Sequence, residues 1–102
     1  MSLVVAYAYR SQMSLEAQLA TLRAATEWEW IERDSEFWGD YISARAGDLM
    51  LKIFIEGDGY LFEFKCLTPE AEARWEEHVR LALRRLAPLV GAEEVRRAES
   101  NN

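Results

Sequence analysis

Large and small apolar side chains alternate over residues 3–9, with Leu3, Val5, Tyr7 and Tyr9 on one side and Val4, Ala6 and Ala8 on the other. Both sides are apolar, which is the pattern of a strand covered on two faces and placed inside a sheet. Leu15, Leu19, Leu22 and Ala25 or Thr26 then recur at three- and four-residue spacing. This predicts a helix over 15–26, with Ser14 as N-cap and Glu16 in the first turn, where the helix dipole favours an anion. From Trp28 the period changes to two. Residues 28–33 read as a strand, 34–36 supply turn formers, and a second strand runs from 37 or 38 to 44 before a turn at Ala46-Gly47-Asp48.

The clearest pairing is a hairpin of residues 49–56 and 60–67 joined by Gly57-Asp58-Gly59. Pairing Ile55 with Tyr60 sets Ile53 opposite Phe62 and Leu51 opposite Phe64, all on one face, with Lys52, Glu56, Glu63 and Lys65 on the other. Hydrophobicity pins that register, because a slip of one residue would expose the whole apolar row. Thr68-Pro69-Glu70 then starts a second helix, with Thr as N-cap and Pro in the first turn. Its stripe is Trp75, Val79, Ala82, Leu86 and Leu89, with Glu72, Glu76 and Arg80 opposite. Pro88 and Gly91 end it. From Ala92 the chain is polar with Val95 as its one apolar anchor, and a weakly ordered tail over 92–102 is expected. The expected fold is α+β. It is a single two-layer domain over 1–91, an antiparallel sheet of about five strands in the order β-α-β-β-β-β-α with two helices packed on one face.

Composition narrows the function. A chain of 102 residues that is half hydrophobic carries one ordinary core. One Cys and one His remove disulfide scaffolds, Cys-rich zinc sites and any site needing two imidazoles. A net charge of −6 opposes general nucleic-acid binding, which needs Lys and Arg to displace phosphate counterions. No run approaches the roughly 18 apolar residues of a membrane span, and the apolar amino terminus has no basic flank. A cytoplasmic protein that binds no membrane is expected. Ten Arg against two Lys, with 14 Ala, lean towards a high-GC bacterial gene.

Most candidate chemistry reads as ordinary structure. His78 lies on the flank of the second helix among Glu76, Glu77 and Arg80, with no nucleophile or orienting partner nominated beside it. Cys66 alternates with Phe64 and Phe62, so it points inward as a small hydrophobe. Gly57-Asp58-Gly59 lacks the Lys and the strand-to-helix context of a phosphate loop, and the turn's need for positive φ explains both glycines. Asp34, Glu36 and Asp40 are hard-cation ligands by type, but their spacing matches no calcium loop. No metal or cofactor is expected. Asp40 depends on register: pairing Ile42 with Leu51 turns this carboxylate inward, and a one-residue slip exposes it and turns Phe37 and Tyr41 inward instead.

Residues 27–40 stand apart, holding six acids, one Arg and three of the four tryptophans. Carboxylates steer a basic partner and aromatics anchor it on contact. The expected partner-binding residues are Glu29, Trp30, Glu32, Asp34, Glu36, Trp38 and Asp40. Trp28 and Trp30 share a face with Glu32. On the open side of the sheet they join Met50, Phe54 and Leu61 in an apolar patch, and on the helix side they are core. In size, charge and architecture the chain resembles toxin-neutralising immunity proteins in general character, without a shared motif. That likeness implies a non-catalytic module that occludes the cationic site of a basic partner such as a toxin. A homodimer with a structural or regulatory role is the alternative. A third is a small-ligand binder or enzyme using a sheet-helix cleft with Asp40, Tyr41, Tyr60 or Arg45.

Overall fold

The strongest hydrophobic alternation in the chain forms the middle of a sheet. Strands β4 (Leu49–Glu56) and β5 (Gly59–Cys66) pair in the expected register, with Ile53 opposite Phe62 and Leu51 opposite Phe64. The computed structural model describes residues 3–37 and 39–98. Around the central hairpin stand β1 (Val4–Arg10), β2 (Ile31–Ser35), β3 (Gly39–Ala46) and β6 (Glu93–Ala98), giving six antiparallel strands in the order β2-β3-β4-β5-β1-β6. The helices are α1 (Leu15–Ala25), α2 (Pro69–Ala73) and α3 (Trp75–Leu86). The domain is thus α+β. β1 lies between β5 and β6, the interior place that its two-sided apolar pattern predicts.

One face of the sheet carries Val5, Tyr9, Ile42, Ala44, Leu51, Ile53, Phe62, Phe64 and Cys66. They form a single core with Leu15, Leu19 and Leu22 of α1, Ala71 of α2, and Val79 and Leu86 of α3. The cores of both helices are the stripes read from spacing. Capping also follows the sequence. Ser14 Oγ accepts from the Ala17 N–H at 3.1 Å, and Thr68 Oγ1 accepts from the Ala71 N–H at 3.1 Å, each satisfying an amide that the helix leaves unpaired.

Four details differ from the expectations. The second helix is broken at Arg74 (φ −121°), and no Pro or Gly marks the break, so the apolar stripe runs through it. The strand expected over 28–33 begins at Ile31 instead. The segment before it is tied to α1: the Arg23 guanidinium donates twice to the Trp30 carbonyl at 3.0 and 3.2 Å, and Trp30 Nε1 donates to Thr26 Oγ1 at 3.0 Å. Gly57 does have positive φ (+60°), but Gly59 is needed for space, since a Cβ there would lie 2.7 Å from the Tyr9 carbonyl oxygen.

The fourth difference is the tail. Residues 93–98 form β6, paired with β1 from Ala6↔Ala98 to Arg10↔Glu93, and 99–102 lie outside the described residues. β6 was hidden from a hydrophobic reading because it attaches by backbone hydrogen bonds and by charged side chains, with Arg10 Nε 3.6 Å from the Glu94 carboxylate. The Arg97 guanidinium lies 5.3 Å from the centre of the Trp75 ring and 5.9 Å from that of Tyr7. Val90, fully buried, anchors the chain just before it.

One buried polar link joins α1 to the sheet. The Tyr9 hydroxyl donates to Gln18 Oε1 at 2.6 Å, Gln18 Nε2 donates to the Met13 carbonyl at 3.1 Å, and the Tyr60 hydroxyl donates to the same carbonyl at 2.9 Å. Gln18 has 0% exposure, so these partners satisfy an amide that burial would otherwise penalise. Burial, then the neighbouring Tyr60, pushes the Tyr9 phenol far above the usual tyrosine range.

Two predictions follow from these contacts. Because the folded pKa of Tyr9 is raised, its contribution to stability is intact below about pH 10 and is lost above it, at about 1.4 kcal/mol per pH unit, as the unfolded phenol ionises. Urea unfolding from neutral to alkaline pH should show this slope in the parent chain and a shallower one in Tyr9→Phe; equal slopes would contradict the buried phenol. Glu94 has φ +53° where the β1–β6 register shifts, a left-handed conformation that costs a non-glycine residue about 1 kcal/mol. Glu94→Gly should therefore hold or raise stability by up to about 1 kcal/mol, whereas Glu94→Val should lower it; thermal melts of the two variants decide.

Candidate functional site

Five of the seven residues expected to bind a partner are exposed, and β2 and β3 carry most of them. The two strands pair with Glu32 opposite Ile42, Asp34 opposite Asp40 and Ser35 opposite Gly39, which leaves Glu36 and Phe37 at the tip. Glu32, Asp34 and Asp40 alternate onto the helix side of the sheet. There β2 is the edge strand of the sheet, and all three carboxylates are exposed. Glu36 is exposed at the tip. Trp38 lies outside the described residues.

Asp40 resolves in an unexpected way. The β3–β4 turn pairs Ile42 with Ile53, two residues from the first register considered, so Asp40 does point to the helix side. It is nevertheless exposed, at the rim of a recess that it shares with the start of α1. Phe37 and Tyr41 do not turn inward.

Trp30 corrects the expectation directly. At 2% exposure it is core, with its indole nitrogen and its carbonyl both engaged by α1 and the residues after it. It cannot anchor a partner. Trp28 is half-buried, with the Arg85 guanidinium 4.6 Å from the ring centre. Arg85 also donates to Glu27 at 2.6 and 3.3 Å, and these hydrogen bonds hold the Glu27 carboxyl below the usual carboxylate range. Glu27 is thereby occupied. Glu29 is exposed but lies apart, lining a shallow recess with Arg33, Arg45 and Met50 on the opposite side of the sheet.

The structure adds residues that the sequence did not nominate. Phe37 is 90% exposed at the hairpin tip, where its N–H donates to Ser35 Oγ at 3.2 Å. Its signal was its place among turn formers, since an aromatic in a three-residue hairpin loop has little to pack against. Glu16, from the first turn of α1, joins Glu32 and Asp40 around a groove of about 220 Å³ floored by Leu15, Leu19, Ile42 and Ile55. Nothing in the sequence signals that meeting, because α1 and β2 become neighbours only through the sheet.

The arrangement is a carboxylate-rimmed groove with an aliphatic floor beside a hairpin tipped by an exposed aromatic. It also carries a structural cost: Asp34 directly opposite Asp40 is a like-charged cross-strand pair, which destabilises a sheet.

The other candidates disperse. Tyr41 lies on the open face, Tyr60 donates to the Met13 carbonyl on the helix side, and Arg45 Nε donates to the Gly47 carbonyl at 3.1 Å, so with Asp40 they form no common cleft. A larger recess, about 490 Å³, instead lies at the β5–β1–β6 end, lined by Arg10, Glu56, Asp58 and Arg96. Arg10 there is engaged by Asp58. Cys66 is buried, and burial, then the charge of Glu72, pushes its thiol up and away from the reactive thiolate. Among the described residues no three His, Cys, Asp or Glu side chains are placed to hold a metal ion, and no helix is long and apolar enough to cross a membrane. No protein-family model matches the chain, and no curated protein matches it.

Stability separates the two kinds of aromatic. Trp30→Ala should cost about 3–5 kcal/mol, as for other buried Trp truncations, while Phe37→Ala should change stability by less than about 0.5 kcal/mol. Asp34→Lys, which turns the like pair into an opposite one, should stabilise by up to about 1 kcal/mol. Denaturant midpoints of the three variants test the placement; a Phe37→Ala loss as large as that of Trp30→Ala would contradict it.

Proposed function

We propose that this chain is a non-catalytic protein-binding module that captures a basic protein partner through the β2–β3 hairpin. The observation that carries this reading is Phe37, 90% exposed at the tip of an edge hairpin bearing Glu32, Asp34, Glu36 and Asp40. A large exposed aromatic is unfavourable in isolation and useful as an anchor, and interfaces take most of their energy from a few such groups. The surrounding carboxylates supply long-range attraction to a cationic surface and reject acidic partners. The Asp34–Asp40 pair, unfavourable for the sheet, adds to the density of that negative field.

Capture works by occlusion. The carboxylates take the place of an anionic substrate in the partner's cationic site, as a neutraliser of a basic toxin would require, and Phe37 closes the contact. β2 is also the outermost strand of the sheet, an edge that an extended basic segment can meet.

The test uses an Arg- and Lys-rich peptide containing one Trp, titrated into the labelled chain and followed by NMR. Shifts should concentrate at residues 32–40 and Glu16, and should weaken steeply with added salt. The triple variant Glu32→Lys/Asp34→Lys/Glu36→Lys should lose at least about tenfold in affinity, and Phe37→Ala about tenfold. Equal binding by the charge-reversed variant, or shifts centred elsewhere, would overturn the reading.

A further inference from the structure

The recess that Glu29 lines lies on the face of the sheet opposite the helices, at the β2–β3 end. It holds about 290 Å³ and is built around one cross-strand pair, Ile31 opposite Ser43. Arg33 stands two residues beyond Ile31 on β2, and Arg45 two residues beyond Ser43 on β3. The strands are antiparallel, so the two arginines rise from opposite ends of the recess. Glu29, two residues ahead of Ile31, belongs to the Arg45 end. Met50, opposite Arg45 on β4, continues the apolar wall that Ile31 begins.

The polar groups here are not used by the fold. Among the described residues, the Glu29 and Arg33 side chains form no ion pair or hydrogen bond. Arg45 donates only through Nε, to the Gly47 carbonyl, which leaves its Nη groups for another acceptor. Ser43 is the most informative of the set. It is 5% exposed, and its hydroxyl makes no hydrogen bond to another described residue. No buried side-chain oxygen of the described residues is both sealed and unpaired, so this hydroxyl opens into the recess that it lines and finds its partner there.

We propose that this recess binds a small α-amino dicarboxylate of the length of glutamate. The argument is charge complementarity: two guanidiniums and one carboxylate match two acid groups and one amine. The α-carboxylate lies on Arg45, the α-ammonium meets Glu29 at the same end, and the second carboxylate reaches Arg33. The two arginine backbones stand roughly 13 Å apart along the strands at ordinary rise, a gap that their side chains close onto a molecule acidic at both ends. Guanidinium and carboxylate pair through two parallel charge-assisted hydrogen bonds, stronger than neutral ones. Ser43 donates to a carboxylate from the floor, and the methylenes lie on Ile31 and Met50.

The volume is at the small end for ligand sites, which suits one amino acid and excludes a polymer segment of any length. Lys52, opposite Ser43 on β4, adds attraction for a dianion. A simple anion would face the Glu29 carboxylate, and a neutral amino acid would leave Arg33 unmatched. The site shares no residue with the carboxylates or Phe37 of the hairpin, so ligand binding here and capture of a basic partner can each fail without the other.

The test titrates the labelled full chain with L-glutamate through the millimolar range and follows amide shifts by NMR. Saturable shifts should centre on residues 29–33 and 43–45. Glutarate, which lacks the ammonium, and L-glutamine, which lacks the second acid, should each bind at least about tenfold more weakly. Glu29→Gln should abolish the preference over glutarate, and Arg33→Gln the preference over L-glutamine. Both positions are exposed, so both variants should keep the parent far-UV circular dichroism. Absence of saturable shifts at these residues would overturn the proposal. So would glutarate or L-glutamine binding as tightly as L-glutamate, or folded variants that retain both preferences.

Discussion

The contact on which the rest of the structure is built is the cross-strand row Leu51–Phe64 and Ile53–Phe62 at the centre of the sheet. It is local, joined by a short turn, and its register has one hydrophobic solution. Once it forms, β5 offers a complete apolar edge to β1, and Val5 and Tyr9 extend the row. β3 does the same on the other side through Ile42 and Ala44. The helices then have one surface to cover, and their stripes meet it in a single core. Gln18 adds direction to this packing, because only one placement of α1 satisfies both its amide and the Tyr9 hydroxyl.

That centre was legible in the sequence because it obeys simple periods. Alternation gave the hairpin register, spacing gave both helical stripes, and Ser14 and Thr68 marked the helix starts. What escaped was held by other forces. β6 depends on backbone pairing and on Arg97 between two rings, so it shows no apolar alternation. The Arg74 break leaves no Pro or Gly behind. Trp28-Glu29-Trp30 mimics a strand by alternating, yet it is a connection fixed to α1 by polar contacts of Arg23 and Thr26.

The candidate site was legible in charge and misread in its aromatics. Exposure of Glu32, Asp34, Glu36 and Asp40 follows from an acidic segment that cannot be desolvated without partners. Which aromatic accompanies them depends on where β2 begins, and periodicity cannot fix that within two or three residues. A start at Ile31 turns Trp30 into core, and a tight hairpin end leaves Phe37 with no surface of its own to pack on. Glu16 reaches the same groove only through tertiary contact. The result is a molecule with its charge segregated: carboxylates gather along the helix side and tip of the β2–β3 hairpin, while the opposite face of the sheet carries Arg33, Arg45, Lys52, Lys65 and Arg96.

The exchange of Trp30 for Phe37 as the solvent-facing aromatic is the central claim, and hydroxyl-radical footprinting with mass spectrometry reads it residue by residue in the isolated chain. Corrected for the intrinsic reactivity of each side chain, Phe37 should be modified at close to the rate of a free phenylalanine and Trp30 should be protected. A reactive Trp30 or a protected Phe37 would contradict the hairpin as the contact surface.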